Sequence, residues 1–188
     1  MGYLSSATAE LIYGIQNDII GMDPYPSIAD PFYAGLNIFL IAHVVTNTSF
    51  FARTVESEGG KERGYLEIRT LVLFISVFCG IVFSYVAISM IQPGFSPNFE
   101  FFYGLIFVAL SGITLPFLIY AAMLFKNSAL GKAWHILLLA FMILIVGDVW
   151  YYHLEIFGQY DLFHPVNIFW YVGYWIQTYA LFKHKRVT

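Results

Sequence analysis

The chain has 188 residues, of which 59% are hydrophobic and only 11% are charged, and its mean hydropathy is +0.70. These values exclude an ordinary soluble protein, and the net charge of −3 gives no indication of a nucleic-acid partner. The composition predicts an all-α integral membrane protein with one domain, residues 1–188. The single cysteine, Cys79, excludes an intrachain disulfide and a cysteine-based metal cluster.

Long uncharged runs place the predicted membrane-spanning helices in chain order. At the helical rise of about 1.5 Å per residue, runs of about 20 residues cross the hydrocarbon core. The predicted spans are residues 4–21, 32–52, 70–91, 101–125, 133–157 and 166–182. The first is the most polar, because it carries Glu10 and Asp18, so a bundle of five spans is the alternative to six.

Basic residues predict the orientation, because Lys and Arg accumulate on the cytoplasmic side of membrane proteins. If six helices alternate, all nine fall on one side, and the opposite loops carry none. We therefore expect a multi-pass protein of the cell membrane with both termini in the cytoplasm. The basic residues are Arg53, Lys61, Arg63, Arg69, Lys126, Lys132, Lys183, Lys185 and Arg186.

Two loop passages resemble each other. The first corner, residues 21–33, reads GMDPYPSIADPFY, and the second corner, residues 158–170, reads GQYDLFHPVNIFW. Aligning them indicates a parallel internal repeat with an offset of 138 residues before the corner and 137 after it. Coincidence is the alternative, since these residue types are common at membrane interfaces. The matched pairs are Glu10 with Asp148, Tyr13 with Tyr151, Gly21 with Gly158, Asp30 with Asn167, Phe32 with Phe169 and Tyr33 with Trp170.

The phrase DPYPSIADPFYAGLNIFLI and the phrase GDVWYYHLEIFGQYDLFHPVNIFWYVGYWIQTYAL, residues 147–181, resemble the N-terminal multi-helix membrane regions of archaeal and bacterial sensor histidine kinases and diguanylate cyclases. The matched positions in the second phrase are Asp148, Tyr151, Tyr152, Gly158, Trp170, Gly173 and Tyr174. The resemblance implies a helical sensory region whose last two helices carry an acidic, tyrosine-bearing segment and a Trp-Gly-Tyr-rich segment. Asn167 departs from the aspartate that is usual in that pattern. No kinase, cyclase or PAS sequence follows residue 188, so we expect the output to come from a separate protein.

Three polar residues lie within apolar spans. Counting from the nearest loop puts Glu10, His43 and Asp148 each about 15 Å deep, where an isolated carboxylate costs at least about 2.5–3.5 kcal/mol. We expect one buried polar cluster. It is either a proton-linked switch or a set of neutral hydrogen bonds between helices.

The predicted outer side of the membrane collects acidic, histidine and tyrosine side chains. They indicate a ligand or ion site, and imidazole with carboxylate oxygens would suit a divalent metal. Their spacing matches no dedicated metal motif, so the metal stays undetermined, and solvated interface residues are the alternative. No cofactor is predicted, because the histidines lie at levels that do not suit haem ligation. The candidate residues are Asp23, Asp30, Tyr33, His153, Glu155, Asp161 and His164.

These patterns favour a membrane-embedded sensory or signal-transducing module without its own catalytic output. The alternative is a small accessory subunit of a membrane enzyme complex, for example an oxidoreductase or monooxygenase. A proton-coupled carrier or enzyme using Glu10, His43 and Asp148 is a third hypothesis, but no catalytic motif supports it. The expected partners are the lipid bilayer, other membrane proteins or a signalling protein, and further copies of this chain.

Overall fold

The structure is a computed structural model that describes residues 2–21, 27–57, 62–89, 98–161 and 163–186, with side chains placed in all of these ranges except 51–57 and 62–69. It is all-helical over the described residues. The helices are α1 (Gly2–Gly14), which continues as a π-helical segment (Ile15–Ile19), α2 (Asp30–Ser57), α3 (Glu62–Ser89), α4 (Phe99–Leu124), α5 (Gly131–Ile156) and α6 (Asn167–Lys185).

Local sequence signals set several helix ends. Asn98 caps α4, because its Oδ1 accepts a hydrogen bond from the Phe101 N–H at 2.9 Å. Gly21 and Gly158 adopt φ angles of 69° and 60°, and they are the only described residues with positive φ. Glycine reaches this left-handed region at little cost, so each glycine lets the chain turn away from the helix before it.

Neighbouring helices run antiparallel, except that α2 and α4 are parallel neighbours. Asp30 interacts with Tyr103 near the start of both helices, and the Thr114 hydroxyl donates to Asn37 Oδ1 at 3.1 Å further along. The end of the bundle at which α2, α4 and α6 begin is called the outer end, following the predicted orientation. The other end is called the inner end.

The apolar core lies between α2, α4, α5 and α6, and includes Val44, Leu118, Trp134 and Phe141. Helix α3 packs mainly against α4. Its close approach depends on two glycines, since a Cβ on Gly112 would lie 3.1 Å from the Gly80 Cα. Because α3 has little contact with helices other than α4, many of its apolar side chains stay exposed, as expected for a helix that faces lipid.

Three helical segments among the described residues are long and apolar enough to cross a membrane: Thr70–Ser89, Phe99–Leu124 and Gly131–Ile156. This fits the predicted membrane-embedded helical protein. The helices at the other predicted spans are not both long and apolar enough, so the predicted number of five to six membrane spans is not confirmed. Helix α1 has only 13 residues. Helices α2 and α6 are continuous, but polar side chains such as Asn37, His43 and Gln177 lower the hydropathy of their sequences.

Candidate functional site: two linked carboxylates

Asp148 joins three helices through its two carboxylate oxygens. The Ser111 hydroxyl of α4 donates to Oδ2 at 3.0 Å, and the Trp170 indole N–H of α6 donates to Oδ1 at 3.0 Å. The preceding residue, Gly147, allows this approach, because a Cβ there would lie 3.0 Å from the Trp170 Nε1. Asp148 itself is partly buried.

Glu10 brings α1 next to α2 and α6 in a similar way. The hydroxyl groups of Tyr33 on α2 and Tyr174 on α6 lie close enough to interact with its carboxylate. Glu10 as a residue is exposed at the surface of the bundle. Its carboxylate is therefore next to both tyrosines, and the residue lies at the surface.

Tyr174 connects the two carboxylates. Its hydroxyl lies close enough to Glu10 and Ser6 to interact with both, and it also interacts electrostatically with Asp148. The resulting set is called the carboxylate network, and it links α1, α2, α4, α5 and α6. Its members are Glu10, Tyr33, Ser111, Asp148, Trp170 and Tyr174.

The residues matched between the two corners make equivalent contacts. Glu10 interacts with Tyr33 across the α1–α2 hairpin, and Asp148 accepts a hydrogen bond from Trp170 across the α5–α6 hairpin. Tyr13 lies near Tyr33, and the Tyr151 ring packs edge-on against Trp170, with a centroid distance of 5.1 Å. Asp30 and Asn167 occupy the first positions of α2 and α6.

His43 lies apart from both carboxylates. It is ten residues beyond Tyr33 on α2, about 15 Å along the helix. Its ring stacks on Trp134 at 5.8 Å and lies 6.1 Å from the ring of His184. The structure thus brings Glu10 and Asp148 together through Tyr174 but does not bring His43 to them.

The expected depth of Glu10 also needs correction. Its partner Tyr33 lies three residues into α2, about 5 Å from the outer end, and Tyr174 lies seven residues into α6, about 10 Å from that end. Glu10 is therefore in the outer half of the bundle rather than at its middle. Counting back from Gly21 overestimated the depth because the segment after α1 extends beyond the start of α2.

The Asp30 carboxylate has partners in the first corner and on α4. Its Oδ2 accepts a hydrogen bond from the Ser27 N–H at 2.6 Å, and it also bonds Tyr103 on α4. Burial raises the pKa of the Asp30 carboxyl above its usual range, although these two hydrogen bonds oppose the rise. Of the other first-corner candidates, Tyr33 belongs to the carboxylate network, and Asp23 lies outside the described residues.

The candidate residues in and just before the second corner contact residues close to them in the chain. Asp161 Oδ1 accepts from the Phe163 N–H at 2.8 Å, and His164 Nδ1 accepts from the Val166 N–H at 3.2 Å. His153 packs against the Phe157 ring at 4.8 Å. Glu155 interacts electrostatically with Tyr160, whose pKa is raised chiefly by burial. Within the described part of the chain, no three His, Cys, Asp or Glu side chains group to hold a metal ion.

Sequence reasoning identified both carboxylates but not the residues that join them. Trp170 and Tyr174 belong to the Trp-Gly-Tyr-rich segment that resembles sensor regions, so a signal for them was present. Ser111 gave no comparable signal, because a single serine in an apolar helix commonly bonds its own backbone. Comparison of the chain with protein-family models, curated proteins and solved structures finds no match.

Proposed function

We propose that this chain is a membrane-embedded sensory module that passes a signal from the outer end of the bundle to the inner end. It crosses the plasma membrane six times, with both termini in the cytoplasm, and contains two parallel, related hairpins, α1–α2 and α5–α6. The equivalent contacts of the matched residues support the repeat. The described lysines at positions 126, 132, 183 and 185 all lie at the inner end, which supports the orientation.

The carboxylate network is the observation that carries this proposal. Tyr174 of one hairpin interacts with Glu10 of the other, and Asp148 extends the contact to α4. Neutralising or binding a carboxylate in a low-dielectric setting changes its hydrogen-bond energies by more than it would in water. Because one such change acts on helices of both hairpins, we infer that the two hairpins can pack against each other in two alternative arrangements.

Glu10 is an exposed residue at the surface of the bundle. In the proposed mechanism, a proton or a cation acts on its carboxylate. At the inner end, the basic tail of α6 includes Lys183, Lys185 and Arg186, which offers a charged surface to a separate signalling protein. Output by that partner is consistent with the absence of any catalytic motif in the sequence.

One observation bears on the alternative, an accessory subunit of a membrane enzyme complex. The outward face of α3 is rich in large apolar side chains, with Phe74 69% exposed, Phe78 65% exposed and Tyr85 70% exposed. Lipid would cover this face in a free module, and neighbouring subunits would cover it in a complex.

Purification from native membranes in a mild detergent, followed by mass spectrometry of the attached proteins, separates the two. The sensory proposal predicts a homo-oligomer, or this chain together with a soluble signalling protein. Stoichiometric recovery with larger membrane-enzyme subunits would contradict it and establish the accessory role. The replacement of Phe78 by Ala tests the same face, because it should weaken a subunit complex yet leave a signalling partner attached at the inner end.

A further inference from the structure

A cavity of about 420 Å³ lies between α1, α2, α5 and α6, on the inner side of the carboxylate network. This volume is within the range of about 300–1,000 Å³ that is usual for small-molecule sites. Its wall is largely apolar and includes Leu36, Phe39, Leu137 and Leu181, together with the two imidazoles of His43 and His184.

Two residues of the wall carry buried donors that the described protein does not satisfy. The Tyr3 hydroxyl and the Trp134 indole N–H are inaccessible to solvent and have no hydrogen-bond partner among the described residues. Trp134 as a whole is only 2% exposed. Leaving a buried donor unpaired is costly, so native structures usually supply a partner. Acceptor oxygens of a bound molecule would supply it here.

The charge of the wall restricts what can bind. None of the described residues that line the cavity is Lys, Arg, Asp or Glu. Burial lowers the pKa of His184, which favours its uncharged form at neutral pH. The described side chains of the wall therefore offer an ionic head group no fixed counter-charge, and a neutral head with acceptor atoms fits better.

The wall opens toward the membrane and presents the edge of Trp134. The Trp134 ring is sandwiched between the rings of Phe125 and His43, with interplanar angles of 12° and 23°, so both of its faces are covered and its edge is left for a ligand. Ala42 and Thr46 of α2 are exposed, as is Leu181 of α6. These residues mark an opening between the two helices on the side of the bundle, where an apolar tail would leave the cavity for the lipid.

We propose that this cavity binds a neutral, membrane-soluble quinone. Its ring carries two carbonyl acceptors for the donors of Tyr3 and Trp134, and its tail follows the apolar wall to the opening. The proposal concerns binding alone and does not depend on the sensory function, because the cavity lies apart from Glu10 and Asp148.

Equilibrium dialysis of decyl-benzoquinone against the full chain, at a fixed detergent concentration, tests this. We expect saturable binding of one molecule per chain. Tyr3→Phe and Trp134→Phe should each weaken the affinity by about 2- to 10-fold, the usual effect of one lost neutral hydrogen bond. Ala42→Trp should abolish saturable binding by filling the opening. Ala7→Trp, an identical change at an exposed position outside the cavity wall, should leave it unchanged.

A second ligand tests the head group. Decylbenzene has the same tail and ring size but no carbonyl acceptors, so we expect it to bind at least tenfold more weakly. Equal binding of the two ligands, or equal binding by the Ala42→Trp and Ala7→Trp variants, would overturn the proposal, as would the lack of saturable binding. Ala42 is exposed, so its variant remains informative even if the Trp134 variant fails to fold.

Discussion

Asp148 illustrates what one carboxylate does in this bundle. It is the acceptor for both the Ser111 hydroxyl and the Trp170 indole, so its removal affects two donors on two other helices. Interhelical hydrogen bonds in membranes average only about 0.6 kcal/mol in double-mutant cycles. A donor left unpaired in the protein interior costs more, about 1–3 kcal/mol.

Asp148→Ala should therefore lower the free energy of unfolding by about 1–3 kcal/mol. Asp148→Asn should lower it by less than about 1 kcal/mol, because the amide oxygen still accepts from Trp170. Denaturant unfolding in detergent measures both. The matched control is Asp18→Ala, which removes an exposed carboxylate and should change stability by no more than about 0.5 kcal/mol. Equal losses for Asp148→Ala and Asp18→Ala would contradict the assigned role.

The Asp30 carboxyl leads to a prediction about how the stability of the folded protein depends on pH. Burial raises the pKa of its carboxyl in the folded protein above the unfolded value of about 3.9. Between these two pKa values the folded state binds more protons than the unfolded state, so stability falls as pH rises through that window and then stays level.

The Asp30→Asn variant lacks this titration and keeps an acceptor for the Ser27 N–H. Relative to the variant, the wild-type protein should lose stability as pH rises from about 4 through the folded pKa. Unfolding midpoints measured in detergent at a series of pH values test the difference. A wild-type protein that instead gains stability over the variant with rising pH would show that hydrogen bonding, rather than burial, dominates at Asp30.

At the scale of elements, the α5–α6 hairpin depends on glycines at the helix contact. A Cβ at Gly173 would lie 2.5 Å from Leu144 Cδ2 and 2.7 Å from Leu144 Cγ. Leu144 is only 4% exposed, so it has little room to move away. The close contact holds α6 in the position from which Tyr174 and Trp170 reach the two carboxylates.

Gly173→Ala should therefore lower the free energy of unfolding by about 1–3 kcal/mol, the usual cost of an overpacked contact. Gly14→Ala is the control, because the nearest atom to its Cβ would be Asp18 Oδ2 at an ordinary 3.9 Å. That change should be neutral, or should stabilise α1 by up to about 1 kcal/mol. The same loss at both positions would indicate a general intolerance of alanine, not a specific helix contact.

At the scale of the whole molecule, the topology is a prediction that chemical labelling tests. In a Cys79→Ala background, Gln159→Cys places a thiol at the outer end and Ser128→Cys places one at the inner end, and both positions are exposed. An impermeant maleimide should label position 159 in intact cells and position 128 only in inverted vesicles. The reverse pattern would contradict the orientation derived from the basic residues.

The sequence was sufficient to predict the helices, because long uncharged runs have few alternatives to a membrane helix. It also identified Glu10 and Asp148 as exceptional, since carboxylates in apolar runs demand partners. It could not identify Tyr174 as their link, which depends on how α6 lies against α1. The structure places His43 apart from the carboxylates, next to Trp134 and His184. The sequence could not show this, because depth counted along the chain ignores where one helix ends beside another.

The central claim is that the carboxylate network at the outer end controls helix packing at the inner end. Pulsed electron paramagnetic resonance tests it most directly, with spin labels at Phe50→Cys on α2 and Lys185→Cys on α6, both exposed positions, in the Cys79→Ala chain. Glu10→Gln with Asp148→Asn should shift the distance distribution between the labels. Thr114→Val, which breaks the buried bond to Asn37 outside the network, should leave it unchanged. An identical distribution in all three proteins would contradict the sensory account.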